Sequence, residues 1–327
     1  MIDKHSRRRP SWHKLLLLLL LCGFVLVNSV AWMQAWAMTH YASGGETTAK
    51  PEALSLSDKV RAVLGGVTVT RPDNSHTPSD IGLEYEPRTI TMEGGYLEAW
   101  FMPHAEAKGL VLMFPGYAES KESLLPSAST LHAIGYSLLL VDFRGAGGSS
   151  GEETTLGVRE AKDVARSVEY ARVQWPGQPI VLYGVSMGAA AVMRAIAVEG
   201  VQVEAAILES PFNRLLSTVR NRFHSMGLPD TPGSELVVFW GSVQQGFNGF
   251  EHNPEEYAAA IKCPTLVLHG KNDPRVTTDE ALSIYARLPG TKQLAVIEDA
   301  GHESLAVYAP DRWKMRVERF LGKYVSK

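Results

Sequence analysis

The stretch 179–193, reading P-I-V-L-Y-G-V-S-M-G-A-A-A-V-M, constrains the fold more than any other part of the chain. Residues 180–183 form a short apolar run with β-branched side chains, which reads as a buried strand. From Met187 the composition changes to Gly, Ala, Val and Met, which suits a helix pressed closely on a sheet. Ser186 lies at the join, flanked by Gly184 and Gly188. Strand, sharp turn and helix in that order strain the serine backbone and hold its hydroxyl clear of the sheet. The start of the helix also aims backbone N–H groups at any negative charge that develops there. Taken alone, the stretch also fits a helix N-cap serine in an ordinary parallel-sheet protein.

The rest of the chain repeats the unit. Apolar strand candidates at 110–114, 136–141, 203–208, 265–269 and 294–297 alternate with helical patterns at 124–133, 156–173, 280–287 and 312–324. A hairpin, 88–102, precedes them, with Gly94 and Gly95 at its turn. Such alternation predicts an α/β fold with a mostly parallel central sheet and helices on both faces. One interval breaks the rhythm. Between Pro211 and Cys263, residues Phe212, Leu215, Leu216, Val219 and Phe223 keep helical spacing, and 236–240 is an unbroken apolar run. An insertion after a strand's carboxyl end overhangs the crevice where such sheets bind ligands. The expectation is a helical lid at about 212–260; a peripheral helical pair is the other reading.

The N-terminus is a targeting segment. The first 14 residues carry Lys4, Arg7, Arg8, Arg9 and Lys14 against Asp3, and residues 15–38 are uncharged, with leucines from Leu15 to Leu21. The 24-residue run is long enough to span a bilayer, and Trp32 and Trp36 resemble interface anchors. The pattern Ala35-Trp36-Ala37 also fits a signal-peptide cleavage site. A tether with the body exported to the periplasmic or extracellular side is the expectation, and secretion after cleavage is the alternative. The domain reading is therefore 1–38 as anchor or signal peptide, 39–87 as linker and lead-in, and 88–327 as the main domain. Net charge is −3, so with its basic start set aside the body is acidic and offers no electrostatic case for nucleic acid. Of two cysteines, Cys22 lies in the targeting segment and Cys263 stands alone in the body, so no disulfide framework arises within the chain.

A serine hydroxyl needs a base to take its proton, and the base needs a carboxylate to orient it. His302, in Asp299-Ala300-Gly301-His302-Glu303, follows the last strand, where a loop can bring it over Ser186. Asp273, in His269-Gly270-Lys271-Asn272-Asp273-Pro274, follows the preceding strand; Glu209 is the rival acid. A second G-x-S-x-G surrounds Ser149, but Glu152 to Thr155 follow it instead of a small-residue helix, so Ser149 reads as a loop serine.

In this order of motifs the chain resembles the α/β-hydrolase superfamily over roughly residues 88–325, and in particular its small exported or membrane-tethered serine hydrolases. The nucleophile elbow matches at Ser186 in Gly184-Val185-Ser186-Met187-Gly188. Asp142, Arg144, Gly145, Gly147, Ser149 and Gly151 match a D-x-R-G-x-G-x-S-x-G loop, and Asp273 and His302 match the acid and base. The family commonly has His-Gly after the strand that supplies half of the oxyanion hole; here Pro115-Gly116 stand there. The resemblance then implies the backbone N–H groups of Tyr117 and Met187 as oxyanion donors. It implies a Ser-His-Asp hydrolase of carboxylesterase or lipase type, acting through an acyl-enzyme on a small-molecule acyl ester, thioester or lipid-like substrate. An amidase or peptidase with the same triad, and a non-catalytic binding protein of this fold, are the alternatives. No cofactor is called for: the sequence has no phosphate loop, no dinucleotide fingerprint and no metal-ligand spacing.

Overall fold

Eight strands hydrogen-bond into one mixed sheet; those at its centre read as near-continuous apolar runs, and Pro87 is confined to a polar edge strand. The computed structural model describes residues 12–49 and 53–325; the basic residues Lys4 and Arg7 to Arg9 lie outside them. In chain order the elements are α1 (Trp12–Thr39), α2 (Leu56–Gly65), β1 (Glu86–Met92), β2 (Gly95–Met102), β3 (Leu110–Phe114), α3 (Leu125–Ala133), β4 (Ser137–Val141), α4 (Glu160–Gln174), β5 (Ile180–Val185), α5 (Met187–Ala197) and β6 (Ala205–Glu209). The insertion helices α6 (Leu215–Met226) and α7 (Gly233–Gln245) and the single turn α8 (Pro254–Tyr257) follow. The chain closes with β7 (Thr265–Gly270), α9 (Thr278–Arg287), β8 (Lys292–Ile297), α10 (Leu305–Tyr308) and α11 (Pro310–Tyr324). Sheet order is β1-β2-β4-β3-β5-β6-β7-β8. The β1–β2 hairpin and the β2–β4 pairing are antiparallel, and every later pair is parallel.

Strand side chains alternate between two cores, as the pleat requires. Val111, Met113, Leu138, Leu140, Val181 and Tyr183 face Leu131 of α3 and Trp313, Val317 and Phe320 of α11. The intervening Leu110, Leu112, Leu139, Ile180 and Leu182 face Val164 and Val168 of α4 and Ala189 and Val192 of α5. Full burial of each large aliphatic side chain contributes about 1.5–3 kcal/mol, so the sheet and its helices form the stable frame on which the loops are hung.

Two loops are held by buried charge. Asp142, after β4, accepts from the Lys121 backbone (2.7 Å), the Gly148 backbone (3.0 Å) and Asn74 Nδ2 (2.8 Å), and pairs with the Lys121 ammonium. Lys121 is fully buried, bonds Glu98 at 2.6 Å and lies 4.2 Å from the Trp100 ring centroid. Ser149 is a structural part of this loop: its hydroxyl donates to Asp142 O and accepts from Glu98 N. The helix expected from residue 156 begins at Glu160 instead. Leu156 takes φ 54°, and the backbone N–H groups of Thr155 and Gly157 donate to the buried Glu160 carboxylate, which closes a turn before the helix can start.

The stretch after α1 departs from its reading as a linker. His40 pairs with Glu153 and Ala42 with Thr70 as isolated β-bridges, with Tyr41 N donating to Glu152 O and Arg71 N to Ala42 O. Backbone hydrogen bonds carry this docking, and a polar, small-residue composition gives no sign of them.

The insertion is fastened at its far end by His252. Its Nε2 lies 3.0 Å from Leu156 O, which can only accept, so Nε2 carries the proton and Nδ1 is left to accept from Tyr257 Oη at 3.2 Å. Burial lowers its pKa from 6.5 to about 4, with the Arg194 charge acting in the same sense and the Leu156 carbonyl opposing. Between these values the unfolded chain holds a proton that the folded chain lacks, so stability falls as pH falls. The loss amounts to about 3 kcal/mol by pH 4. In His252→Gln the difference in urea-unfolding free energy between pH 7 and pH 4 shrinks by that amount; an unchanged difference would show that His252 is not held neutral.

Candidate active site

The carboxyl ends of β5, β7 and β8 carry the site, with β6 between the first two. β5 ends in a turn where Ser186 takes φ 51° and ψ −110°, a conformation that a non-glycine residue adopts at a cost of roughly 1–3 kcal/mol. The turn holds because Ser186 N donates to Glu209 O at 2.8 Å and Ser186 O accepts from Ala190 N at 3.1 Å. The flanking glycines are steric necessities. A Cβ at position 184 would meet the Gly188 carbonyl at 2.5 Å, and one at 188 would overlap the Phe114 and Pro115 carbonyls. The small residues of α5 thus let its first turn sit against the end of β3.

Asp273, after β7, and His302, after β8, converge on this serine. His302 Nδ1 lies 2.6 Å from Asp273 Oδ2, and His302 Nε2 lies 3.1 Å from Ser186 Oγ. The other Asp273 oxygen accepts from the backbone N–H groups of Arg275 (2.8 Å) and Val276 (2.9 Å). Burial by itself would raise the Asp273 pKa. The hydrogen bond and charge of His302, joined by those two N–H groups, outweigh it and hold the carboxyl below the usual range. An ionised carboxylate can only accept, so the proton of neutral His302 sits on Nδ1 and Nε2 is an acceptor turned to the serine hydroxyl.

Glu209, the rival acid, is engaged elsewhere. Its carboxyl receives Tyr183 Oη (2.8 Å), Trp313 Nε1 (2.8 Å) and Leu305 N (3.0 Å). Burial raises its pKa against these donors, and its backbone, not its acid, supports Ser186. His269 is fully buried at the end of β7, where burial lowers its pKa. Among the described residues no cluster of His, Cys, Asp or Glu could hold a metal ion.

Tyr117 and Met187 border the same cavity of about 140 Å³ as Ser186 and His302. Met187 is the first residue of α5, and the N–H groups of a helix's first turn have no acceptor within the helix. The Tyr117 side chain has another partner. Its hydroxyl donates to Met38 O at 2.8 Å, and the Arg222 guanidinium lies 5.3 Å from its ring centroid. Val219 and Arg222 of α6 and Met38 of α1 complete the wall, so α6 covers the serine while α7 packs on α1. Sequence reading missed Met38 and Arg222. Val219 lay in a recognisable helical stripe, whereas a methionine ending an apolar segment and an arginine beside that stripe carry no pattern of their own.

Comparison with known proteins agrees with this architecture. Residues 105–227 match the family model described as serine aminopeptidase, S33. An uncharacterised protein of Mycobacterium tuberculosis is 28% identical over 217 residues, which span 65% of this chain and 70% of that one. The lysophosphatidylserine lipase ABHD12 of Danio rerio is 26% identical over 167 residues, 50% of this chain and 42% of the lipase. The Pyrococcus furiosus esterase Pf2001 superposes with a TM-score of 0.67 at 28% identity, covering 78% of this chain and 97% of the esterase. A sheet of this order, a serine on a strained turn after β5 and these likenesses together place the chain in the α/β-hydrolase superfamily.

Proposed function

We propose that the protein is a serine hydrolase that cleaves carboxylic esters or thioesters through an acyl-enzyme. The observation that carries this reading is the hydrogen-bonded chain from Ser186 Oγ through His302 to Asp273, whose polarity leaves His302 Nε2 free of a proton. In this mechanism His302 takes the serine proton as Oγ attacks the acyl carbonyl. The N–H groups of Met187 and Tyr117 receive the oxyanion, and each such donor is worth about 10²–10³ in rate. The tetrahedral intermediate expels the alcohol or thiol, which takes the proton back from His302. Water then attacks the acyl-enzyme with His302 again as base, releasing the acid and restoring the serine. Asp273 holds the tautomer throughout and stabilises the imidazolium.

The ester reading draws support from the names of the esterase and lipase relatives and from the apolar wall that Val219 and Met38 give the cavity. The family description keeps amide cleavage as a second reading. Membrane attachment through α1 is part of the proposal, since this helix has the length and apolarity to cross a bilayer.

The test uses the full chain in detergent micelles with p-nitrophenyl butyrate and alanine p-nitroanilide as paired substrates. The expected result is ester turnover exceeding anilide turnover at least a hundredfold, with fluorophosphonate labelling at Ser186. Preference for the anilide would move the assignment to a peptidase, and labelling at another residue would remove Ser186 from it.

A further inference from the structure

The Ser186 cavity has an apolar neighbour. A cavity of about 340 Å³ lies between α1, α2, α6 and α7, bounded by Leu26 and Val30 of α1, Val63 of α2 and Phe223 and Val237 of the insertion. Its size falls in the range, about 300–1,000 Å³, of cavities that hold small molecules. Two polar side chains lie in its wall: Gln34 spends its amide on Ala62 O (2.6 Å) and Val63 O (2.9 Å), and Arg222 sets its guanidinium 5.3 Å from the Tyr117 ring centroid. Met38, Val219 and Arg222 line both this cavity and that of Ser186, so the two are neighbours across three side chains. From Leu26 to Met38 the helical rise gives the groove a length of about 18 Å along α1.

We propose that α1 is a retained wall of the substrate site, and that the groove takes the acyl chain of a membrane lipid ester whose carbonyl reaches Ser186. This rests on the hydrolase reading and names the substrate class for the same site. Two features select that occupant. The lining is apolar almost throughout, so it favours a hydrocarbon over a peptide or sugar, whose polar groups would lose water without replacement. The wall is itself the bilayer-crossing helix. Its residues before Asn28 are exposed, and the outer faces beside it carry exposed Leu56, Val60 and Leu64 of α2 and Phe239 and Val243 of α7, each set spaced four residues apart. The groove therefore lies beside surfaces suited to a bilayer and meets the serine's cavity at Met38, Val219 and Arg222.

The packing of α1 is that of a built element. Ala31 and Ala35 are buried against Val237 and Val238, and Trp240 Nε1 donates to Asn28 Oδ1 at 3.1 Å. Gln244 Nε2 donates to Trp32 O at 2.9 Å, and Tyr117, in the loop beside Ser186, bonds the last turn of α1 through Met38. Cleavage after Ala37 would strip one wall from the groove and expose the apolar face of α7.

The experiment compares p-nitrophenyl butyrate with p-nitrophenyl decanoate, using the full chain and the groove-filling variants Val30→Trp and Val63→Trp. In the unmodified chain kcat/KM rises roughly three- to fourfold per methylene as the groove fills. Each variant, made on a different helix, loses decanoate activity at least 30-fold and keeps butyrate activity within twofold. Equal loss on both esters, or unchanged preference for decanoate, overturns the groove. If the unmodified chain hydrolyses neither ester, the hydrolase reading fails by itself. Binding of nitrobenzoxadiazole-labelled lauric acid then decides the groove: retained by the unmodified chain and lost in Val30→Trp supports it, and no binding, or binding that survives in Val30→Trp, overturns it. The bilayer source is read with a monoacyl ester in phosphatidylcholine vesicles. Hydrolysis is at least tenfold faster when protein and ester share a vesicle than when they are in separate ones, and equal rates overturn entry from the membrane. Intact-mass analysis of the purified active protein retains residues 12–37; an active decanoate hydrolase lacking them overturns the role of α1.

Discussion

Ser186→Ala lowers ester hydrolysis by about 10⁴- to 10⁶-fold and abolishes fluorophosphonate labelling, while leaving the fold intact. The size of the effect follows from what the hydroxyl does in the proposed mechanism. Without Oγ there is no acyl-enzyme, and the residual rate comes from the N–H groups of Met187 and Tyr117 acting on a water-mediated reaction. Stability should change little, because alanine keeps the same Cβ at φ 51° and the serine side chain is partnered by His302 alone among the described bonds. Thermal unfolding monitored alongside p-nitrophenyl butyrate turnover separates the two quantities. Retention of more than a hundredth of the activity would show that another group is the nucleophile.

Asp273→Asn has the second-largest expected effect, about 10⁴-fold in kcat. The argument is one of donors and acceptors. One Asp273 oxygen faces two N–H donors, those of Arg275 and Val276, so the asparagine must place its carbonyl oxygen there. Its NH₂ then faces His302 Nδ1, which must accept. The imidazole proton moves to Nε2 and points at Ser186 Oγ, so the base can no longer take the serine proton. Labelling by fluorophosphonate slows by a similar factor, and the ¹⁵N chemical shifts of His302 exchange their protonated and unprotonated positions. A variant with normal activity and an unchanged tautomer would mean that Asp273 serves only to tie the loop after β7.

The difference between these two variants and the His252 variant marks where local pattern ends. Ser186, Asp273 and His302 were legible because each sits just past an apolar strand, in a short motif whose residue types have few other uses together. The strand and helix order was legible for the same reason: periods of two and of 3.6 residues survive in a single sequence. Helix α4 was misjudged at its start because Val158 extends the apolar stripe, while the turn is set by backbone N–H groups gathered on Glu160. Lys121 gave no signal, since a lysine in a sequence reads as solvated unless its partners, Asp142 and Glu98, are known to surround it.

The sequence by itself determined the alternating frame, the strained serine turn and the presence of a long apolar N-terminal helix, because these are encoded in neighbours a few residues apart. Tertiary structure alone decided which acid faces His302. Asp273 and Glu209 both follow strands, and only the pairing of Glu209 with Tyr183, Leu305 and Trp313 removes it from the histidine. Tertiary structure likewise decided that α1 packs on the insertion and borders the site. The bonds that join them link residues as far apart as Asn28 and Trp240, and Met38 and Tyr117. Such contacts depend on where distant segments meet in space, and no periodicity within either segment records that meeting.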